Sequence, residues 1–226
     1  MISIQRLSKS YGSKLVLKDI NMDFEKGKVY GIVSQNGAGK TTLFRCLAGL
    51  ENYTGDIHSQ GILKHKLGFL SVDTYFMDKM TAEEYVFLLT EARGVKVKDL
   101  QQRNIFQLPL KDYISNYSTG MKKKLALMAV LLQNNDVFIL DEPFNGIDLE
   151  SSMRLTSIME RLKSLGKTIL ISSHIFSTLK ESCDTIFVLQ YGHIVKKVQQ
   201  KDFNTLEEEL KARVSADFPL EKLLEM

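Results

Sequence analysis

Val29-Tyr30-Gly31-Ile32-Val33-Ser34-Gln35-Asn36-Gly37-Ala38-Gly39-Lys40-Thr41-Thr42 is the stretch whose reading decides the fold. It holds an apolar strand, a turn of small residues, and a Lys-Thr-Thr start to a helical pattern over Lys40–Leu50. Gly37 and Gly39 permit backbone angles that point successive N–H groups inward as an anion nest. The helix N-terminus adds its partial positive charge. Residues Ser34, Gln35, Asn36, Gly37, Ala38, Gly39, Lys40, Thr41 and Thr42 therefore read as a phosphate-binding loop. In such a loop Lys40 reaches the β and γ phosphates and the Thr41 hydroxyl ligates Mg²⁺. The strict eight-residue pattern begins with glycine, and here Ser34 stands in that place. The competing reading is an ordinary strand-to-helix turn that needs small residues. The strand before the loop and the helix after it argue against that.

Outward from this unit, two hydrophobic patterns alternate. Short β-rich runs fall at Ile2–Leu7, Val16–Phe24, Val29–Val33, Leu67–Leu70, Val137–Leu140, Thr168–Ser172, Thr185–Leu189 and His193–Lys197. Helical spacing marks Lys40–Leu50, Thr81–Arg93, Thr119–Gln133, Leu149–Leu165 and Ile175–Glu181. Runs that are apolar throughout, such as Val137–Leu140 and Thr168–Ile171, suit strands buried on both faces of a mostly parallel sheet. The start of the chain differs. Lys14–Phe24 and Lys28–Val33, separated by Glu25-Lys26-Gly27, read as an antiparallel pair. Between residues 73 and 133 strand signals stop, which reads as an inserted helical subdomain. A core over about 1–72 and 134–198 then flanks it, with a tail over about 199–226. In that tail Phe203–Arg213, with Glu207-Glu208-Glu209, reads as a solvated acidic helix.

Composition narrows the class. The 226 residues are 44% hydrophobic and 25% charged, which excludes a disordered or collagen-like chain. A net charge of +3 is too small to argue for nucleic acid. Cys46 and Cys183 fit no metal-ligand spacing, and they read as reduced residues of a cytosolic protein. Residues 1–10 show no apolar leader. The longest apolar run, Leu125–Leu132, is far shorter than the roughly 18 residues of a membrane span. The chain is therefore expected not to cross a membrane by itself.

Three further segments carry chemistry. Val137-Phe138-Ile139-Leu140-Asp141-Glu142-Pro143 is a buried strand ending in two carboxylates, where α/β sheets place ligand-binding groups. Asp141 can hold Mg²⁺ through water, and Glu142 can polarise an attacking water. Ser172-Ser173-His174 ends another apolar strand and brings His174 to the same rim. Tyr117-Ser118-Thr119-Gly120-Met121-Lys122-Lys123-Lys124 opens a helix. Ser118 and Gly120 offer an N-cap and exposed backbone donors, a second anion site if another copy of the chain supplies the nucleotide. Standing alone, the segment is a capped helix with a basic surface face.

In this order, the elements resemble the ATP-binding subunit of an ATP-binding cassette (ABC) transporter, from about Ile2 to Val198. Asn36–Thr42 is similar to the family's Walker A loop, which departs at Ser34 and Gln35. Tyr11 matches the aromatic that stacks on adenine, and Ser118-Thr119-Gly120-Met121 the signature, with Thr119 in place of a glycine. Asp141 and Glu142 fall on the Walker B aspartate and the catalytic glutamate, Asn145-Gly146-Ile147-Asp148 on the D-loop, and His174 on the switch histidine. At the Q-loop Val72 stands where glutamine is usual. Asp73 beside it is either a replacement metal ligand or a solvated carboxylate.

The resemblance implies a P-loop NTPase (RecA-like) α/β core with an N-terminal antiparallel β subdomain and an inserted helical subdomain. It implies ATP and Mg²⁺ as cofactors, catalysis by Glu142 and His174, and metal contacts from Thr41 and Asp141. Two such subunits, as homodimer or heterodimer, would enclose ATP between the phosphate loop of one and the signature helix of the other. Closure and opening of the pair would power a separate transmembrane permease. That places the chain in the cytoplasm at the inner face of the membrane, without nucleic acid. The short helical subdomain and the Ser-Thr-Gly-Met signature read as exporter-like. The alternatives are a soluble ABC ATPase or a weakly hydrolysing nucleotide-dependent regulator.

Overall fold

Nine strands and seven helices follow one another in a computed structural model that describes residues 1–217, and for 213–217 the backbone only. The end of the expected tail, residues 218–226, lies outside the described residues. The strands are β1 (Ile2–Tyr11), β2 (Lys14–Phe24), β3 (Val29–Val33), β4 (Thr54–His58), β5 (Leu67–Leu70), β6 (Val137–Leu140), β7 (Thr168–Ser172), β8 (Thr185–Gln190) and β9 (His193–Gln199). The helices are α1 (Lys40–Leu47), α2 (Ile62–His65), α3 (Ala82–Glu91), α4 (Thr119–Leu131), α5 (Leu149–Ser164), α6 (Phe176–Ser182) and α7 (Phe203–Asp217).

The main sheet has the order β5-β6-β7-β3-β8-β9. Its strands are parallel except for β9, which runs antiparallel to β8 at the edge. Every residue of β3, β6 and β7 is buried, as strands covered on both faces require. β3 lies between β7 and β8, so the loop leaving its carboxyl end opens beside the carboxyl end of β7, with β6 next in line.

The second sheet, β2-β1-β4, is antiparallel. Here the expected pairing is corrected: β2 folds back on β1, from Tyr11 opposite Lys14 to Ile2 opposite Phe24, and does not pair with β3. The burial patterns give the reason. From Ile20 onward β2 alternates buried and exposed residues, suiting a sheet with one wet face, whereas β3 is buried throughout and belongs between two parallel neighbours. Glu25-Lys26-Gly27 therefore carries the chain from one sheet to the other. β4 gives little hydrophobic signal because four of its five residues are exposed, with only Ile57 half-buried against the core.

One apolar cluster fills the space between the sheets and around α1, centred on Phe24, Tyr30 and Phe187. Their ring centroids lie 4.9–6.1 Å apart, within the range of favourable aromatic pairs. The second cluster joins the other face of the main sheet to α3, α4, α5 and α7.

Local chemistry sets the helix starts. Thr81 and Glu84 form a capping box on α3, Ser118 caps α4, and Asp148 caps α5. The acidic C-terminal helix is a correction as well. α7 is docked rather than merely solvated: Phe203 and Leu206 are buried, and Glu207 and Glu209 pair with Lys180 and Lys196. Its fully buried positions lie in its first turn, with Leu210 packed on the core beyond the charge run that dominates the sequence.

Candidate functional site

The phosphate-type loop runs from the end of β3 to the start of α1. Gly37 has φ +76 and Gly39 φ +109. At Gly39 space adds to the angle, since a β-carbon there would lie 2.8 Å from Leu17 Cδ2. Lys40 is buried, and its side chain returns over the loop. Its Nζ lies 3.1 Å from Ser34 Oγ and 3.8 Å from Glu142 Oε1. Ser34 donates its own proton to the Gln35 carbonyl at 2.8 Å, which leaves a lone pair for the ammonium. The serine in the glycine's place thus anchors Lys40. Desolvation pulls the Lys40 pKa down, opposed by the charges of Glu142 and Asp141.

The carboxylates stand at the end of β6. Leu140 lies opposite Ile171 of β7, which brings Asp141 next to Ser172. Asp141 is wholly buried and accepts from Thr41 Oγ1 at 2.7 Å and from Ser172 Oγ at 2.6 Å. The Ser172 hydroxyl in turn accepts the Glu142 N–H at 2.9 Å. Glu142 has φ +51, a left-handed backbone that is unusual for a residue with a side chain. Its Oε2 accepts the His174 N–H at 3.1 Å. His174 Nε2 stands 3.0 Å from Oε1 but without hydrogen-bond geometry, so this buried oxygen keeps an unfilled lone pair. On the main-chain side, Lys123 Nζ donates to the Glu142 carbonyl at 2.5 Å.

These groups surround one cavity of about 340 Å³. Residues 36–42 line it with Val16, Val72, Asp141, Glu142, Asn145 and His174. Gln35 borders a neighbouring cavity of about 450 Å³ that shares Val16 and residues 36–38. Three of the expected residues stand elsewhere. The Tyr11 ring borders neither cavity and carries the Lys9 ammonium 4.6 Å from its centroid. Ser118 accepts the Met121 N–H at 3.2 Å as the cap of α4, and Gly120 packs on the Gly146 carbonyl. No β-carbon fits at Gly120, since it would lie 2.7 Å from that oxygen. At the Q-loop position, half-exposed Val72 brings an apolar surface to the cavity, with Asp73 exposed beside it.

Two site residues escaped the sequence reading. Ser172 bridges Asp141 and Glu142, and its signal was its place at the end of an apolar strand. Lys123 was one of three consecutive lysines, and nothing in the run singles it out. Lys124, its neighbour, holds Asp148 at 2.5 Å and keeps that carboxyl far below the usual range.

A separate, larger cavity of about 690 Å³ lies between the end of α1, β5 and the α3–α4 pair. Leu47, Leu67, Phe69, Leu89 and Val130 give it an apolar wall. Thr74 at its rim continues the Val72 segment. Among the described residues, no helix is long and apolar enough to cross a membrane.

A family model described as "ABC transporter" matches residues 17–145. A second, "AAA domain, putative AbiEii toxin, Type IV TA system", matches 113–179. The chain is 34% identical over 221 residues to the lantibiotic transport ATP-binding protein SrtF of Streptococcus pyogenes, covering 92% of this chain and 95% of that one. It is 32% identical to the bacitracin transport ATP-binding protein BcrA of Enterococcus faecalis, covering 88% and 69%. Among solved structures it resembles an ATP-binding subunit of an ABC transporter, with a TM-score of 0.79, 25% identity, and 89% and 91% coverage. A dimeric ATP-binding cassette bound to ADP and Pi has the same fold, with a TM-score of 0.80, 18% identity, and 88% and 99% coverage.

Proposed function

The chain belongs to the ABC transporter family of ATP-binding subunits, and from that membership we propose how its residues divide the work of ATP hydrolysis. The chain is the ATP-binding and hydrolysing subunit. It acts on a separate transmembrane permease through closure and opening of paired cassettes. The observation that carries the residue roles is the single cavity into which the phosphate loop, Asp141, Glu142 and His174 converge.

Lys40 and the loop N–H groups bind the β and γ phosphates. Ser34 holds the ammonium until they arrive. Adenine stacks on the half-exposed ring of Tyr11. The Thr41 hydroxyl and Asp141 are hard oxygen donors already in contact, a pair that fits Mg²⁺, which would shield phosphate charge with phosphates and water as its remaining ligands. Glu142 orients water against the γ-phosphorus and accepts its proton. The new P–O bond forms as the bond to the ADP oxygen breaks. The unfilled lone pair of Oε1 faces this task, and His174 fixes the carboxylate from its other oxygen.

Ser118 and Gly120 stand outside their own chain's cavity. This supports a role toward the nucleotide of a second subunit, whether identical or not, with the α4 N-terminus supplying donors. The apolar cavity between β5 and the helical segment 73–133 supports docking of a permease segment, which would hold the chain at the cytoplasmic face of the membrane. The segment 73–133 would then move as a subdomain against the core of 1–72 and 134–198. The signature supports an exporter-like partner. Val72 at the Q-loop favours a second reading, a cassette that is not coupled to transport.

Purification from membranes tests the two readings. A multi-span membrane protein that copurifies, with ATP hydrolysis abolished in Lys40→Ala, is the expected result. A chain recovered alone, and equally active in Lys40→Ala, would remove both the partner and the phosphate-loop assignment.

A further inference from the structure

We propose that Lys123 is a positioning residue for hydrolysis. Its ammonium clamps the Glu142 main chain and so ties the helix that begins at Ser118–Gly120 to the attacking-water site of the same chain. The inference rests on the reading of Glu142 as the residue that orients water.

The backbone of Glu142 needs holding. A left-handed conformation disfavours a side-chain-bearing residue and persists only when its surroundings impose it. Four contacts do so here. The N–H donates to Ser172, Oε2 accepts from the His174 N–H, and the carbonyl accepts from Asn145 N–H at 3.3 Å and from Lys123 Nζ at 2.5 Å. Ser172 and His174 come from β7 and the loop after it, and Asn145 from the same turn as Glu142. Lys123 alone among these four comes from the helical segment. Motion of α4 against the main sheet therefore reaches Glu142 through this contact. A charge-assisted bond to a carbonyl is among the stronger hydrogen bonds. The lysine is half-buried, and desolvation pulls its pKa down while Glu142, Asp141 and Asp73 support its charge. A neutral apolar side chain of the same length would fill the space and drop the clamp.

The test measures steady-state hydrolysis in Lys123→Met, Lys123→Arg and Glu142→Gln, made in the full chain with any copurifying partner. Lys123→Met should lower kcat roughly 10- to 100-fold. KM for ATP should stay within about threefold and the melting temperature within about 3 °C. Lys123→Arg, which keeps a charged donor, should recover most of kcat. Parental kcat in Lys123→Met, a KM that rises in step with the loss, an unfolded Lys123→Met, or an arginine variant no better than methionine would each overturn the clamp. Glu142→Gln separates this failure from that of the underlying reading. Parental hydrolysis there removes the role of Glu142 itself, whereas an inactive Glu142→Gln beside a normal Lys123→Met removes only the clamp.

Discussion

Ser172→Ala removes one oxygen atom and two hydrogen bonds from the centre of the site. The hydroxyl donates to Asp141 at 2.6 Å and accepts the Glu142 N–H at 2.9 Å, and the residue is fully buried. Loss of the donor to a carboxylate costs about 1.5–3 kcal/mol, and the stranded amide adds about 1–3 kcal/mol. Asp141 keeps the Thr41 hydroxyl at 2.7 Å on its other oxygen, which offsets part of the first cost. A net destabilisation of about 3 kcal/mol is therefore expected. For a domain of this size each kcal/mol moves the melting temperature about 2–4 °C, so the fall should be about 6–12 °C. Circular dichroism of the nucleotide-free protein measures it directly. The same variant should also hydrolyse ATP more slowly, because Glu142 loses the anchor on its N–H side. A melting temperature within about 2 °C of the parent would show that Ser172 bridges nothing of consequence, and the argument for a braced Glu142 would fail with it.

Three further outcomes follow from the site and the surface. Glu142→Gln keeps the shape but not the basicity, so it should bind ATP, retain it unhydrolysed and accumulate closed dimers by light scattering; adding Ser118→Arg should disperse them by filling the phosphate position proposed at the α4 cap. Asp73→Ala should leave hydrolysis within about tenfold of the parent across a Mg²⁺ titration, since an exchangeable water already stands in for the neutral glutamine that Val72 replaces, at a cost of about 0–2 kcal/mol; a collapse rescued by excess Mg²⁺ would make Asp73 a metal ligand. Hydrogen bonds from Lys180 and Lys211 hold Glu207 at about 2, below the ordinary 4.5. The folded value is the lower one, so its stabilisation is complete above about 4.5 and lost as pH falls toward about 2. Amide exchange of α7 should lose protection through that window in the parent and not in Glu207→Gln; equal losses in both would refute the ion-pair account.

The local units of this protein were legible in its residues. The order Val29–Val33, small-residue turn, Lys40 carries its own physics: glycines for left-handed angles, a helix end for the anion, and apolar runs for a sheet covered on both sides. The cap residue Ser118 was of the same kind, because a cap is satisfied within three residues. What the tertiary structure decided was contact between segments distant in sequence. β2 paired with β1 rather than with β3, because strand partners follow which faces are wet. Ser172 became the bridge between Asp141 and Glu142 only through the register of β6 on β7. Lys123 became distinct from its two lysine neighbours only because the packing of α4 aims one ammonium at the Glu142 carbonyl. Side-chain type limits what a residue can donate or accept. Which partner it meets depends on the register and packing that the whole chain settles together.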